Sequence, residues 1–205
     1  MQKIISLIVC LLKNWYKWWV EALTIIGDIK VYKTPCYILY DNREFDYKLR
    51  GKDIRDIDNI LQPGDVVLRG YEHYLDGFLI PSKYSHAGIY VGDHTIIHAI
   101  SEGVKTIDVI DFIQCDRLCV LRPKSGQDLA TDYAKYHLGS KYDFRFNTED
   151  SSEFYCFELV AKAYTKLNIQ AYPIEFYNIP LKFLSPRYLA ESFLDNPNFE
   201  KIIEK

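Results

Sequence analysis

The chain has 205 residues, room for one domain or for one domain with an extension, and enough to bury a core without disulfides or a structural metal. Hydrophobic residues at 48% and charged residues at 26% exclude wholesale disorder, and 10 Gly with 8 Pro exclude collagen-like or low-complexity architecture. A net charge of −3 excludes a generic electrostatic grip on nucleic acid, so no nucleic-acid partner is expected.

The N-terminus opens with an apolar run, Ile4 to Leu12. It is too short to span a bilayer as a helix, and no small-x-small cleavage site follows it. Trp15, Tyr16, Trp18 and Trp19 come next, interleaved with Lys13 and Lys17. Indoles and lysines together suit a membrane interface; a helix that packs its apolar side on the domain is the plainer reading. No Gly or Pro interrupts residues 1–26, so one long helix ending near Gly27 is expected. Residues 1–50 read as a helical extension and 51–205 as the domain.

Val31 to Tyr40 reads as extended around Pro35, and Lys52 to Leu61 as a short helix. Pro63-Gly64 is a turn signal before the strand Asp65–Arg69. Short strands follow at Ser85–Val91, Thr95–Ile100, Gly103–Ile107 and Leu118–Arg122. Their close spacing describes an antiparallel, barrel-like meander. After Pro123 the period becomes helical, through Leu129, Tyr133, Tyr136 and His137, until Gly139 stops it. A loop from Ser140 to Ser152 leads to a helix over Phe154–Leu167, with Asp150 and Glu153 as a near capping box. Ser185-Pro186 starts a last short helix. The fold class is α+β: a small antiparallel sheet packed against one principal helix.

Five cysteines, Cys10, Cys36, Cys115, Cys119 and Cys156, form no disulfide framework; reduced thiols in a reducing, cytoplasm-like compartment are expected. One reading groups Cys115 and Cys119 with His94 and His98 as zinc ligands, but no second paired spacing accompanies them, so no metal and no cofactor is expected. Cys156 lies in the first turn of the principal helix, where the dipole and free N–H groups lower a thiol pKa. It shares a stripe with Val160, Ala163 and Leu167, so the thiol faces the sheet; a buried core cysteine is the plainer alternative. His86 and His98 lie twelve residues apart around a hairpin centred near Gly92. A plain two-residue turn puts them on opposite faces, whereas a bulge puts both rings on one face. One imidazole then pairs with the thiolate and the other orients it.

These residues also carry a resemblance. Pro63-Gly64-Asp65-Val66-Val67, Ser85-His86-Ala87-Gly88-Ile89-Tyr90-Val91-Gly92, Ile97-His98-Ala99, Leu138-Gly139-Ser140-Lys141-Tyr142-Asp143 and Tyr155-Cys156-Phe157-Glu158-Leu159-Val160 resemble, in order, the circularly permuted papain-like branch of the NlpC-type cysteine peptidase superfamily. Within it they are most similar to YiiX/YebB-like hydrolases and their poxvirus homologues, over residues 60–170. The resemblance implies a permuted papain-like fold with Cys156 as nucleophile and His86 as general base. The third member falls at His98, as in lecithin:retinol acyltransferase-like relatives. YiiX-like proteins usually have glutamate there, which makes Glu102 the alternative. Phe157 departs from the serine that many relatives carry after the cysteine. Tyr142 and Asp143 become candidates for the substrate cleft wall, against the plainer reading that Asp143 fixes its loop.

The expected function is therefore a cysteine-dependent hydrolase, or acyltransferase, acting on an amide or ester through a thioacyl intermediate. Its partner is a peptide-amide or lipid acyl substrate, with the N-terminal helix as a possible membrane contact. A catalytically silent binding module on the same fold is the alternative.

Overall fold

The computed structural model describes residues 15–22, 25, 29–33, 36–40, 47–72, 74, 82–149, 151–173, 175–176, 179–180 and 187–205. The apolar run Ile4–Leu12, Cys10 and Ser185-Pro186 lie outside the described residues. The chain divides into two units, residues 1–44 with 73–76, and residues 45–72 with 77–205.

In the first unit, helix α1 covers residues 15–22 and residue 25 is again helical. Strands β1 (Ile29–Lys33) and β2 (Cys36–Tyr40) pair antiparallel. No helix among the described residues is long and apolar enough to cross a membrane.

The second unit opens with α2 (Gly51–Ile60). Leu49 already belongs to its core, and its N–H donates to the Cys115 carbonyl at 3.2 Å. Strands β3 (Val66–Gly70), β4 (His86–Gly92), β5 (Thr95–Ile100) and β6 (Gly103–Asp108) run as an antiparallel meander. Helix α3 (Val109–Ile113) follows, capped by Asp108, whose carboxylate accepts the Ile110 N–H at 2.7 Å. Then come β7 (Arg117–Pro123), α4 (Gln127–Tyr136), α5 (Cys156–Ala163) with a 3-10 turn at Thr165–Leu167, the short pair β8 (Glu175–Phe176) and β9 (Ile179–Pro180), α6 (Glu191–Leu194) and β10 (Phe199–Glu204). The sheet is open, ordered β10-β7-β3-β4-β5-β6, and every neighbouring pair is antiparallel.

Alternation along the strands makes two cores. Val66, Leu68, Ala87, Ile89, Ile97, Ala99, Val104, Cys119 and Leu121 share the face covered by α4 and α5. Val67, Tyr90, Ile96, Leu118 and Val120 face the other way, with Ile57 of α2 and with Val109, Phe112 and Ile113 of α3. The Pro63-Gly64-Asp65 turn is structural. Gly64 has φ +91°, and an added Cβ would meet Gln127 Cβ at 2.5 Å. Asp65, 1% exposed, accepts from Arg122 Nε at 2.8 Å and Nη2 at 2.7 Å, and from the Gln62 N–H at 2.8 Å. That buried fork ties the start of β3 to the end of β7.

Two helix expectations change. α5 begins at Cys156, not Phe154, because residues 153–154 are held extended: Glu153 bridges Lys141, and the Phe154 N–H donates to the Lys141 carbonyl at 3.0 Å. The acid at its N-terminus is therefore Glu158, which accepts the Tyr155 N–H at 3.3 Å and pairs with Lys162 at 2.9 Å, rather than Glu153. In α4 the residues Leu129 and Tyr136 are exposed, and the buried side is Ala130, Thr131 and Ala134. Small side chains let α4 lie close against the sheet and α5.

Candidate active site

The hairpin β4–β5 decides where the histidines point. Asp93 and His94 form a two-residue turn with φ of 48° and 53°, the left-handed pair of a type I′ turn. Such a turn alone sets His86 and His98 on opposite faces. The register shifts by one residue between Tyr90 and Gly92, so Val91 is bulged and the parity is restored. His98 lies opposite Gly88, with His86 its diagonal neighbour on the same face. His86 Nε2 and His98 Nδ1 are 2.9 Å apart and share a hydrogen bond. Both rings rest on Phe112 of α3, each with its centroid 5.7 Å from the phenyl centroid.

Arg69 completes this face. It pairs with His86 across β3–β4. Its guanidinium carbon is 4.4 Å from the Phe112 ring centroid, and Nη1 donates to the Phe112 carbonyl at 3.3 Å. Burial first, then the Arg69 charge, holds the basicity of both imidazoles down. His86 falls well below the ordinary histidine value through burial, Arg69 and His98. His98 falls to about 4, with the exposed Glu102 opposing weakly. Both rings are neutral at pH 7. No hydrogen bond joins Glu102 to either ring, so His98 is the residue that the structure brings to His86.

Cys156 is N1 of α5, after the N-cap Tyr155. Beyond the Gly88–His98 pair β4 and β5 are no longer partnered, and there Sγ lies 4.0 Å from the Ser85 carbonyl oxygen. The helix packs on the face opposite the imidazoles. The thiol thus meets the backbone on either side of His86, but no hydrogen bond joins it to either ring. Cys156 is 6% exposed, and burial pushes its thiol pKa up to about 11, against backbone N–H groups of Ala87, Phe157 and Cys156 itself and the Arg69 charge, which pull it down. This corrects the expectation of a lowered pKa: in the closed site desolvation outweighs the helix terminus.

Asp143, 2% exposed, accepts the N–H groups of Arg145 at 2.8 Å and Asn147 at 2.5 Å. Its carboxylate fixes the loop. Tyr142 packs on Phe144 with centroids 4.9 Å apart. Burial, then the thiol's charge, pushes its phenol well up, so Tyr142 stands near Cys156. Phe157 packs on Phe193, centroids 6.5 Å apart, which accounts for a large apolar residue after the cysteine. The zinc grouping does not assemble. Cys119 and Cys115 belong to opposite cores, His94 is hydrogen-bonded to Asp58 at the hairpin tip, and His98 is bonded to His86. No group of three or more His, Cys, Asp or Glu that fits a metal ion occurs among the described residues. Arg69 and Phe112 were not foreseen; their signal, a cross-strand partner and a helix facing it, exists only once the register is known.

The sequence profile of the permuted papain-like amidases (YaeF/YiiX, C92 family) matches residues 60–202. The crystal structure of metalloprotein YiiX from Escherichia coli O157:H7 is similar, with a TM-score of 0.58 at 22% identity over 70% of this chain and 97% of that one. No curated protein matches the chain. The chain belongs to the permuted papain-like amidase family and is a cysteine hydrolase.

Proposed function

We propose that Cys156 is the nucleophile, His86 the general base and His98 its orienting partner in the hydrolysis of an amide or ester. The observation that carries this reading is the lodging of Sγ against the backbone flanking His86, at the point where β4 and β5 part. In the tautomer whose Nε2–H donates from His86 to His98 Nδ1, across the 2.9 Å contact, Nδ1 of His86 is left as the free acceptor. On this assignment Nδ1 of His86 comes within reach of the thiol only as the site rearranges on binding substrate.

The step starts from a neutral thiol and a neutral imidazole. Nδ1 takes the thiol proton as Sγ bonds to the substrate carbonyl carbon. The N–H of Cys156, unpaired within the helix at N1, donates to the oxyanion, which no longer competes with a thiolate for it. The imidazolium returns the proton to the leaving amine or alcohol as the tetrahedral intermediate collapses to a thioester. Water attacks the thioester with His86 again as base; another acceptor in its place gives acyl transfer. Incubation with a 4-nitrophenyl ester tests this. Wild type gains one acyl group on Cys156 by mass spectrometry, and His86→Ala does so far more slowly. Acylation elsewhere, or equally fast in both, refutes the assignment.

A membrane-associated acyl substrate is favoured by α1. Trp15, Trp18 and Trp19 follow the spacing of one helical face and are 61%, 61% and 38% exposed. Lys17 lies on the other side, paired with Glu21 at 3.8 Å. Sedimentation with phosphatidylcholine–phosphatidylglycerol vesicles should fall when all three tryptophans become serine; unchanged sedimentation removes this reading.

A further inference from the structure

Arg187 is a partly buried guanidinium beside the loop that leads to α5. Its backbone is fixed by two hydrogen bonds with Tyr172, each 2.8 Å. Its guanidinium carbon lies 4.2 Å from the Phe146 ring centroid. Phe146 is held in the left-handed region, φ 54°, inside the loop that Asp143 pins. Its ring centroid is 5.4 Å from that of Tyr155, the residue before Cys156. Tyr155 Oη accepts the Tyr188 N–H at 2.8 Å, which ties the Arg187 segment to the start of α5. Tyr142 feels the charges of both Cys156 and Arg187.

Among the described residues this cation is in no ion pair, whereas Arg122 is matched by Asp65 and Arg117 by Glu72. Asp143 is near enough to act on it electrostatically, yet both carboxylate oxygens are spent on backbone N–H groups. Arg187 Nε is buried with no acceptor, and burial depresses the pKa of the group. A guanidinium partly withdrawn from water, with no anion paired to it among the described residues, is costly, and the aromatic face of Phe146 offsets part of that.

We propose that Arg187 is the seat for an oxyanion, carboxylate or phosphate, carried by the acyl substrate beside the scissile bond. Its planar fork suits both groups through paired N–H···O bonds. The inference rests on Cys156 as nucleophile and adds the substrate class: amides or esters bearing a negative charge.

Three substrates of one acyl chemistry test it: mono-4-nitrophenyl glutarate, its methyl-capped neutral counterpart, and a counterpart ending in phosphonate. Wild type should favour a charged ester over the capped one in kcat/KM. Arg187→Gln should lower that preference about 10- to 100-fold, with Arg187→Lys between them. The preferred charged ester tells carboxylate from phosphate. A preference that survives in Arg187→Gln, or is absent from wild type, overturns the proposal. Cys156→Ala separates the two readings. If it leaves hydrolysis intact, the nucleophile assignment has failed, and Arg187 is judged on binding of glutarate and methylphosphonate to that same variant by NMR titration. Arg187→Gln should then weaken binding of one of them at least about tenfold; equal affinity overturns the anion seat.

Discussion

Gly88→Ala tests whether a missing side chain holds the histidine pair in place. Gly88 lies between His86 and Tyr90 on the imidazole face and opposite His98. A Cβ there would stand 2.5 Å from Ile96 Cγ2, 3.2 Å from the Ile97 carbonyl oxygen and 3.2 Å from Phe112 Cε2. Ile96 and Phe112 are fully buried. The isoleucine methyl sits on a β-branched carbon with little rotamer freedom, so relief requires movement of the strand or of α3. Overpacking of this kind costs about 1–3 kcal/mol, and a chain of this size loses about 2–4 °C in Tm per kcal/mol. The Tm should therefore fall by roughly 2–12 °C. Because Phe112 is the floor under both rings, its displacement should also slow acylation of Cys156 at temperatures where the variant is folded. The assay pairs thermal unfolding by circular dichroism with the 4-nitrophenyl ester reaction. A Gly88→Ala protein with wild-type Tm and wild-type acylation refutes the reasoning.

Other outcomes follow from the charges. Arg69→Met removes the cation that disfavours both imidazolium forms, so both imidazoles become more basic. The base must be neutral to act, so the acid limb of the pH–rate profile should move to higher pH; an unmoved limb contradicts the role given to Arg69. His98 has a folded pKa of about 4, below its unfolded value. Its contribution to stability is complete above pH ~6.5 and is lost as pH falls towards 4, by on the order of 3 kcal/mol. Urea titrations of wild type and His98→Asn should therefore diverge in slope across that window and run parallel above it. Asp65→Ala leaves the Arg122 fork and the Gln62 N–H unmatched, at a cost of about 3–5 kcal/mol in denaturant midpoint measurements; a change below about 1 kcal/mol would mean that the fork is solvated.

The strands were legible because glycine-rich turns punctuate alternating apolar residues. Thr95–Ile100 matches the sequence reading, and its neighbours shift by a residue or so. What stayed hidden depended on register. Asp93-His94 reads as a two-residue turn, and nothing local announces that Val91 bulges. Helix α3 was invisible because Val109–Ile113 continues the apolar pattern of β6. β10 was invisible because its charged outward residues resemble a solvated tail. The thiol illustrates a different limit. Its place at a helix N-terminus was readable, but the sign of its pKa shift depends on burial under Tyr142, Tyr155 and the sheet, which no spacing encodes. Arg187 lies 31 positions beyond Cys156, and only the folded chain sets it over Phe146, whose ring meets that of Tyr155.

The most direct test is the alkylation of wild type and His86→Ala by iodoacetamide across pH 5–9, with mass spectrometry to identify each labelled cysteine. Cys115 and Cys119 serve as internal controls, since burial raises their pKa to about 12 and about 11. Labelling of Cys156 should outpace both, keep rising beyond the free-thiol pKa of about 8.5, and slow in His86→Ala near neutral pH. Labelling of Cys156 no faster than Cys115 and Cys119, and indifferent to His86, would contradict the account and leave the fold as a binding module.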